Sequence, residues 1–428
     1  MFNTIRSAFK NPDLRKRLLF TLLILVIFRA GSNMLVPFVS GAGLNELVAG
    51  NTFFGLLNMF SGGAFANATI FALSVSPYIT AQIVVQLLSV AIPPLERLSK
   101  EGEAGRKKLD RIQRIVMIGM CLLQSWGYYS LLVSQGAIAA QYNTGWAKWF
   151  VMAVIMFTFT ACACIVVWLG DRITEKGIGN GISMILFAGT LAGLPGGIEI
   201  LIAKLAEGGL NFILVPLILL IFAAMIVFII VMTEAERRIP ITYAKRVVGR
   251  KMYGGQSSHL PVKVNMSGVM PVIFASSLLS IPSLIGGFTN PEVGSFWYNV
   301  LAWLSPSHWF YGILYLILIV GFNYFYVTMQ YNPVEMANNI KNNNGSIPGI
   351  RPGKPTSTFI QKIIGKVAMI GALFLGVIAV SPIVFNSIFQ IDVALGGTSI
   401  IIVVGVALET VKQIESYLLM RHHKGFLE

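Results

Sequence analysis

Charged residues and cysteines are scarce in this chain. Only 12% of the 428 residues are Asp, Glu, Lys or Arg, whereas 55% are apolar, and there are three cysteines. Soluble globular proteins carry about twice this charged fraction. The mean hydropathy of +0.73 points the same way. The composition therefore argues against a water-soluble enzyme and predicts a membrane protein.

Side chains that perform chemistry inside a membrane are also few. The four histidines and four aspartates fall in loops or at the ends of apolar runs: His259, His308, His422, His423, Asp13, Asp110, Asp171 and Asp392. Intramembrane proteases need such groups at membrane depth, and coupled transporters usually place them inside their spans. We therefore expect no catalytic, cofactor or metal site. Arg29 is a charge within the first predicted span, and snorkelling or a helix-packing bond is its expected role.

Long apolar runs predict ten membrane-spanning helices, because about 20 apolar residues cross a bilayer as a helix. The predicted spans lie near residues 18–36, 73–92, 113–133, 149–170, 181–204, 211–232, 268–288, 308–331, 364–386 and 396–419. The expected fold class is an all-α polytopic membrane protein. Ten spans divide five and five near residue 206, and two halves with an odd number of spans point in opposite directions. Shared ancestry of the halves would make an inverted repeat.

The basic residues predict the orientation of the chain. Of 32 Lys and Arg residues, 29 fall in the segments 1–17, 97–114, 172–176, 237–263, 341–366 and 412–424. Because cytoplasmic loops carry the excess of Lys and Arg, both termini are predicted to be cytosolic. The net charge of +14 favours acidic partners or anionic lipid on that side.

Three segments depart from the regular pattern of spans. Residues 62–70 form an apolar piece that is too short to span and is predicted to be a re-entrant half-helix. The basic loop 233–267 contains the extended-looking runs Arg238–Tyr243 and His259–Val264, which predict a protruding two-armed loop. The glycine-rich run Gly177–Gly181 lacks the strand and the Lys-Ser/Thr of a phosphate-binding loop, and it predicts a flexible turn.

An ordered set of motifs resembles the SecY family, whose members form the central subunit of the Sec protein-translocation channel. The longest motif, Trp168–Ser183, reads WLGDRITEKGIGNGIS. The others are 60–63, 71–73, 76–80, 86–88, 100–103, 237–238, 243–246, 259–266, 332–333, 348–353 and 396–399. They run from the first span to the last in the family's order.

This resemblance implies an hourglass-shaped pore between two inverted five-helix halves, closed by a re-entrant plug helix. The implied activity is that of a protein-conducting channel in the cell membrane rather than an enzyme. It would pass unfolded secretory polypeptides and release transmembrane segments laterally, driven by the SecA motor ATPase or the ribosome. SecE, SecG, signal-sequence-bearing clients and anionic lipid are the other implied partners. An inverted-repeat secondary transporter is the alternative.

The resemblance also assigns residues. The pore ring would be Val75, Ile79, Ile182, Leu186, Ile273 and Ile402, and the plug Gly62, Gly63, Ala64, Phe65, Ala66, Asn67, Ala68, Thr69 and Ile70. Docking of the motor or the ribosome would involve Arg237, Arg238, Lys245, Arg246, Arg250, Lys251 and Arg351. Residues 75/79 and 182/186 are i,i+4 pairs that project from one helix face. Ser74 and Ser76 carry hydroxyls beside the ring, which favours wetting of the constriction.

The predicted domains follow from these assignments. Residues 1–17 form a cytosolic interfacial helix, and 18–205 form the first five-helix half with the plug at about 62–72. Residues 206–420 form the second half, including the basic loops 233–267 and 332–363, and 421–428 form a cytosolic tail. A lateral gate would lie between the spans 73–92 and 113–133 on one side and 268–288 and 308–331 on the other.

Overall fold

The computed structural model of the chain forms two compact units. It describes residues 11–39, 52–138, 142, 145–206, 211–243, 246–248, 251–253, 257–289, 295–304, 308–389 and 397–424. The first unit comprises Met1–Glu199 and Val406–Glu428, and the second comprises Ile200–Gly405. Most of the predicted N-terminal helix, residues 1–10, lies outside the described residues.

Helices make up the first unit. They are α1 (Pro12–Gly31), α2 (Thr52–Phe60), α3 (Ser76–Ala91), α4 (Pro93–Lys100), α5 (Glu103–Ser134), α6 (Gly145–Lys176), α7 (Gly181–Ala192) and α8 (Leu194–Ala206), which runs on into the second unit. Prolines at the first helical positions start α1, α3 and α4, where the missing N–H costs no hydrogen bond. Helices α3 and α6 pack on α5, and α1 and α7 pack on α6 and on each other.

The second unit combines helices with two small sheets. Its elements are α9 (Asn211–Glu234), β1 (Glu236–Tyr243), β2 (Arg246–Val248), β3 (Lys251–Tyr253), β4 (Ser257–Lys263), α10 (Met270–Thr289), α11 (Phe296–Trp303), α12 (Trp309–Gln330), α13 (Pro333–Asn342), β5 (Gly345–Ser346), α14 (Lys354–Phe389) and the start of α15 (Gly397–Lys424). Helix α12 packs on both α10 and α14. The rest of α15, from Val406, belongs to the first unit.

A helix overlaps each of the ten predicted spans, which confirms the all-α class. By length and composition, five helical stretches among the described residues can cross a membrane: Glu103–Ser134, Gly145–Lys176, Phe212–Glu234, Trp309–Asn342 and Lys354–Val384. Shorter apolar helices cover Ser76–Ala91, Gly181–Gly196 and Met270–Leu279. The span predicted at 181–204 is two helices, since α7 ends before Gly193 and α8 begins after it.

The basic loop 233–267 contains the predicted pair of extended arms. Strand β1 lies between β4 and β5 in an antiparallel sheet, with Ile239 opposite Leu260. Strands β2 and β3 form a second antiparallel pair. Ile239 and Ile241 are buried against α13 and α14, so the sheet is fixed to the helices of its own unit.

The segment predicted to be a re-entrant half-helix is an irregular run of turns in the structure. Residues 61–75 form consecutive turns, and the short helix α2 ends directly before them. Four residues adopt a left-handed backbone: Gly62 (φ 66°), Gly63 (φ 88°), Ala68 (φ 49°) and Ser74 (φ 46°). A right-handed helix cannot pass through such residues, because its hydrogen-bond pattern needs negative φ throughout.

The predicted turn at Gly177–Gly181 lies directly before α7, and it is tightly packed. Gly177, Ile178 and Gly179 are buried, and a Cβ on Gly181 would lie 1.7 Å from the Gly170 carbonyl oxygen. The backbone N–H of Ile178 donates to Thr21 Oγ1 at 3.1 Å. This turn is a crowded joint between helices, because only glycine allows so close an approach of the chains.

Candidate functional site

Two of the predicted ring residues lie at the start of α3. Val75 is the N-cap residue of this helix and is fully buried, and the backbone N–H of Ile79 donates to its carbonyl at 3.1 Å. Ile79 lies one turn further along and is also buried. The pair therefore projects from one side of α3, as the i,i+4 spacing predicts.

Ile182 and Leu186 lie on α7, directly after the crowded turn. The Asn180 side chain caps this helix and accepts from the N–H groups of Ile182 (3.1 Å) and Ser183 (3.4 Å). Leu186 is buried, and Ile182 is half-buried against the core of the first unit. A capped start after a rigid joint holds both side chains at a defined height on α7.

The remaining two ring residues belong to the second unit. Ile273 lies in the first turn of α10 and is 5% exposed, and Ile402 lies in the first two turns of α15 and is 3% exposed. The structure thus places four of the six aliphatic side chains in one unit and two in the other. The closed ring of six stays a prediction.

Hydrogen bonds from three directions hold the predicted plug residues in the first unit. Arg29 Nη1 on α1 donates to the Gly62 carbonyl at 2.7 Å, and the Tyr128 hydroxyl on α5 donates to the Phe65 carbonyl at 2.5 Å. The N–H of Ala66 donates to Asn58 Oδ1 on α2 at 2.9 Å. Snorkelling and a helix-packing bond were the roles expected for Arg29. In the structure its partner is the backbone carbonyl of Gly62, which lies in the irregular segment and not in a helix.

Aromatic side chains form the seat of this segment. The Phe65 ring stacks on Phe54 with centroids 5.5 Å apart and contacts Tyr128 at 4.6 Å. The Phe71 ring stacks on Phe28 of α1 at 5.8 Å. These aromatic contacts were not predicted from the sequence. The two phenylalanines, Phe65 and Phe71, within an uncharged stretch rich in glycine and alanine were the signal that could have indicated them.

A short backbone bridge ties the end of the segment to the chain that follows α1. The N–H of Ile70 donates to the Met34 carbonyl at 2.8 Å, and the N–H of Val36 donates to the Ala68 carbonyl at 3.2 Å. Between these bonds, Leu35 and Thr69 lie directly opposite each other as an antiparallel pair. The segment is thus bonded to neighbouring parts of the first unit along most of its length.

The hydroxyl of Ser74, which the sequence predicted to favour wetting of the constriction, is bonded to protein instead. Ser74 is 1% exposed, and its Oγ donates to the Phe60 carbonyl at 3.3 Å. A donor that is already bonded to protein has less to gain from a water molecule. Ser74 therefore joins the segment to α2.

Three of the predicted docking residues, Arg237, Arg238 and Arg351, lie on exposed surface of the second unit. Arg237 and Arg238 lie on β1, where Arg238 Nε contacts Glu236 Oε1 at 2.7 Å. Exposed Arg351 follows the positive-φ residue Gly349 in the turn before α14, and its carbonyl accepts from Thr356 Oγ1 at 2.9 Å. Arg246 lies on β2 and Lys251 on β3, whereas Lys245 and Arg250 lie outside the described residues.

The comparison with family models decides the classification. The model described as SecY matches residues 69–411, which is most of the chain. The chain belongs to the SecY family. Curated relatives named protein translocase subunit SecY align over 100% of both chains, with 44% identity in Streptomyces coelicolor, 42% in Corynebacterium glutamicum and 41% in Mycobacterium bovis.

Solved structures share the SecY fold. A protein-conducting channel matches with a TM-score of 0.64 and 19% identity over 94% of this chain and 92% of that one. Sec61 in a canine ribosome–channel complex from the endoplasmic reticulum matches with 0.62 and 19% over the same shares. The idle yeast Ssh1 complex on the 80S ribosome matches with 0.58 and 13% over 95% and 89%. The predicted fold class, a polytopic all-α membrane protein of SecY type, is confirmed.

Proposed function

We propose that this chain is a protein-conducting channel that passes unfolded secretory polypeptides across the cell membrane and releases transmembrane segments sideways into lipid. The observation that carries the proposal is full-length identity of 41 to 44% with protein translocase subunits. The matched structures support it, since they include a protein-conducting channel. The alternative, a secondary transporter, finds no support among these relatives.

Aliphatic ring residues suit such a path. A channel for arbitrary sequences must bind no side chain tightly, and valine, leucine and isoleucine offer neither charge nor hydrogen bonds. A narrow aliphatic constriction also loses its water readily, which blocks ions while no client is present. Four of the proposed ring residues, three of them buried, lie on helices that begin at defined caps or turns, which supports a constriction of fixed geometry.

Residues 62–72 are the proposed plug. The matched SecY structures include one whose plug domain stabilises the closed channel and maintains the membrane seal. In this chain the segment is held by polar bonds and stacked rings rather than by a continuous helix. Such a seat stabilises a closed state through a limited number of contacts, each of which can break when a client enters.

The basic surface on β1 to β4 and the Arg351 turn form the proposed docking face for the ribosome and for SecA. Arginine binds phosphate oxygens in a bidentate manner, and ribosomal RNA presents phosphates densely. Two of the matched structures are channels bound to ribosomes. SecE, SecG and anionic lipid complete the proposed assembly, with both termini of the chain in the cytosol.

Site-specific crosslinking tests the proposed path. A photoreactive residue at Ile182 or Ile273 is expected to crosslink to a stalled secretory chain. Phe157 on α6 and Phe212 on α9, which are 69% and 68% exposed, serve as lipid-facing controls and should not crosslink. Crosslinks at the controls without crosslinks at the two ring positions would contradict the proposal.

A further inference from the structure

The first glycine of the proposed plug is clamped from two sides. Arg29 Nη1 donates to the Gly62 carbonyl at 2.7 Å. A Cβ on Gly62 would lie 3.2 Å from the Gly189 Cα and 3.3 Å from the Ala192 Cβ, both on α7. Gly189 itself contacts α2, since a Cβ there would lie 2.4 Å from the Phe60 carbonyl oxygen. Helices α1, α2 and α7 therefore meet around one peptide unit.

The second glycine has different surroundings. Gly63 has the same left-handed backbone (φ 88°), but apart from its chain neighbours no described atom lies within 4 Å of the position of a Cβ. Glycine at positive φ moves between backbone regions without the steric penalty of other residues. The N–H of Gly63 donates to the Asn58 carbonyl of α2 at 2.8 Å, so the chain is held up to this nitrogen. A held peptide followed directly by a glycine with free space at its Cβ position is the arrangement of a pivot.

Beyond the pivot, the contacts of the segment are of a kind that can be broken and remade. They include the Tyr128 bond to Phe65, the Ala66 bond to Asn58, the bridge between Leu35 and Thr69, and the ring contacts of Phe65 and Phe71. We propose that Arg29 and Gly189 pin Gly62 in the closed and the open channel alike, and that the plug swings from Gly63 onward. Arg29 is thus a positioning residue, and the inference rests on the proposed plug function.

Two engineered disulfides separate the pinned end from the swinging part. Gly62→Cys with Ala192→Cys places two Cβ atoms about 3.3 Å apart, close to the ~3.5–4.5 Å of disulfides. Leu35→Cys with Thr69→Cys uses an antiparallel pair between flanking hydrogen bonds, where side chains approach closely. The native Cys121, Cys162 and Cys164 are first replaced by alanine.

Each oxidised channel, with its partner subunits in proteoliposomes, is assayed for translocation of a secretory client, and dithiothreitol provides the reversal control. We expect the 35–69 lock to block translocation and the 62–192 lock to leave it intact. If both locks block it, or only the 62–192 lock does, the pivot is wrong while a moving plug stands. If neither lock blocks it, the segment need not move, and the plug function fails as well.

A rescue experiment tests Arg29 itself. Arg29→Gln is expected to raise the resting ion conductance of the channel in planar bilayers at least severalfold, because the unpinned plug reseats poorly. Oxidation of the 62–192 pair in the same chain should suppress that leak, since the disulfide replaces the pin. A leak that persists in the oxidised chain, or no leak in Arg29→Gln, would overturn the role of Arg29. If Arg29→Gln fails to accumulate, Arg29→Lys takes its place in both measurements.

Discussion

At the scale of single residues, Tyr128 shows how a side chain of a predicted span helps to hold the proposed plug. Its ring lies against Phe65 and, edge-on, against Phe159 of α6 at 5.1 Å, while its hydroxyl bonds the Phe65 carbonyl. A buried carbonyl that loses its donor costs about 1–3 kcal/mol. One hydroxyl thus contributes a measurable share of the stability of the closed seat.

The ring isoleucines carry the first prediction. Ile79→Asn and Ile402→Asn should each raise the resting ion conductance at least about tenfold, equivalent to ~1.4 kcal/mol in the closed–open balance. The reason is that an amide at an aliphatic constriction attracts water. Conductance in planar bilayers measures this, and Ile79→Leu, which keeps an apolar side chain of similar volume, should stay tight. Unchanged conductance in both asparagine variants would refute the ring assignment.

At the scale of elements, the joint between α6 and α7 is built for close approach. A Cβ on Gly177 would lie 2.4 Å from Thr21 Oγ1, and the Gly179 N–H donates to Gln413 Oε1 on α15. Leu14, Ile178 and Ile414 form a small apolar cluster beside it. The joint therefore ties the end of α15 to α1 and α7 within the first unit.

The second prediction concerns this joint. Gly181→Ala should destabilise the protein by about 3 kcal/mol, because its methyl group would overlap the backbone of α6 and cannot be accommodated without a backbone shift. Thermal unfolding of the detergent-solubilised protein measures the loss. Gly196→Ala on α8, where no described atom crowds the Cβ position, is the matched control and should change the midpoint little. Equal midpoints for the two variants would mean that the joint relaxes freely.

The turn before α14 carries the third prediction. Arg351 is exposed between Gly349 and Gly353, which both have positive φ, and its carbonyl is held by the Thr356 hydroxyl. Arg351→Glu should abolish SecA-driven secretion and largely spare ribosome-driven insertion, and Arg351→Lys should show an intermediate loss because lysine lacks the planar fork. Parallel secretion and insertion assays decide. An equal loss of both activities in Arg351→Glu would contradict this division.

Elements also show where sequence patterns suffice. Periodicity and charge locate the spans and the two paired arms, because both depend on neighbours along the chain. The bonds of Arg29 to Gly62 and of Tyr128 to Phe65 join residues 33 and 63 positions apart. The close approach of Gly181 to Gly170 is also a contact between different helices. From the sequence alone, the glycines of this turn indicated flexibility. Such contacts become visible only when helices are packed.

At the scale of the whole molecule, the distribution of charge yields the fourth prediction. A cysteine replacing exposed Ser134, at the end of α5, should react with a membrane-impermeant maleimide added outside the cell. A cysteine replacing exposed Thr358, in the first turns of α14, should react only after the membrane is opened. The basic segments predict which side is cytosolic, so the reverse labelling pattern would contradict the predicted topology.

The small sheet has a consequence for a protein whose proposed clients are unfolded. An open strand edge invites any extended peptide to pair with it. Here the outer strand β4 carries Pro261, which lacks an amide hydrogen, and Lys263, whose charge resists stacking, while the central β1 carries Pro240 beyond its short pairing with β5. The two arms can therefore meet passing chains without capturing them as additional strands.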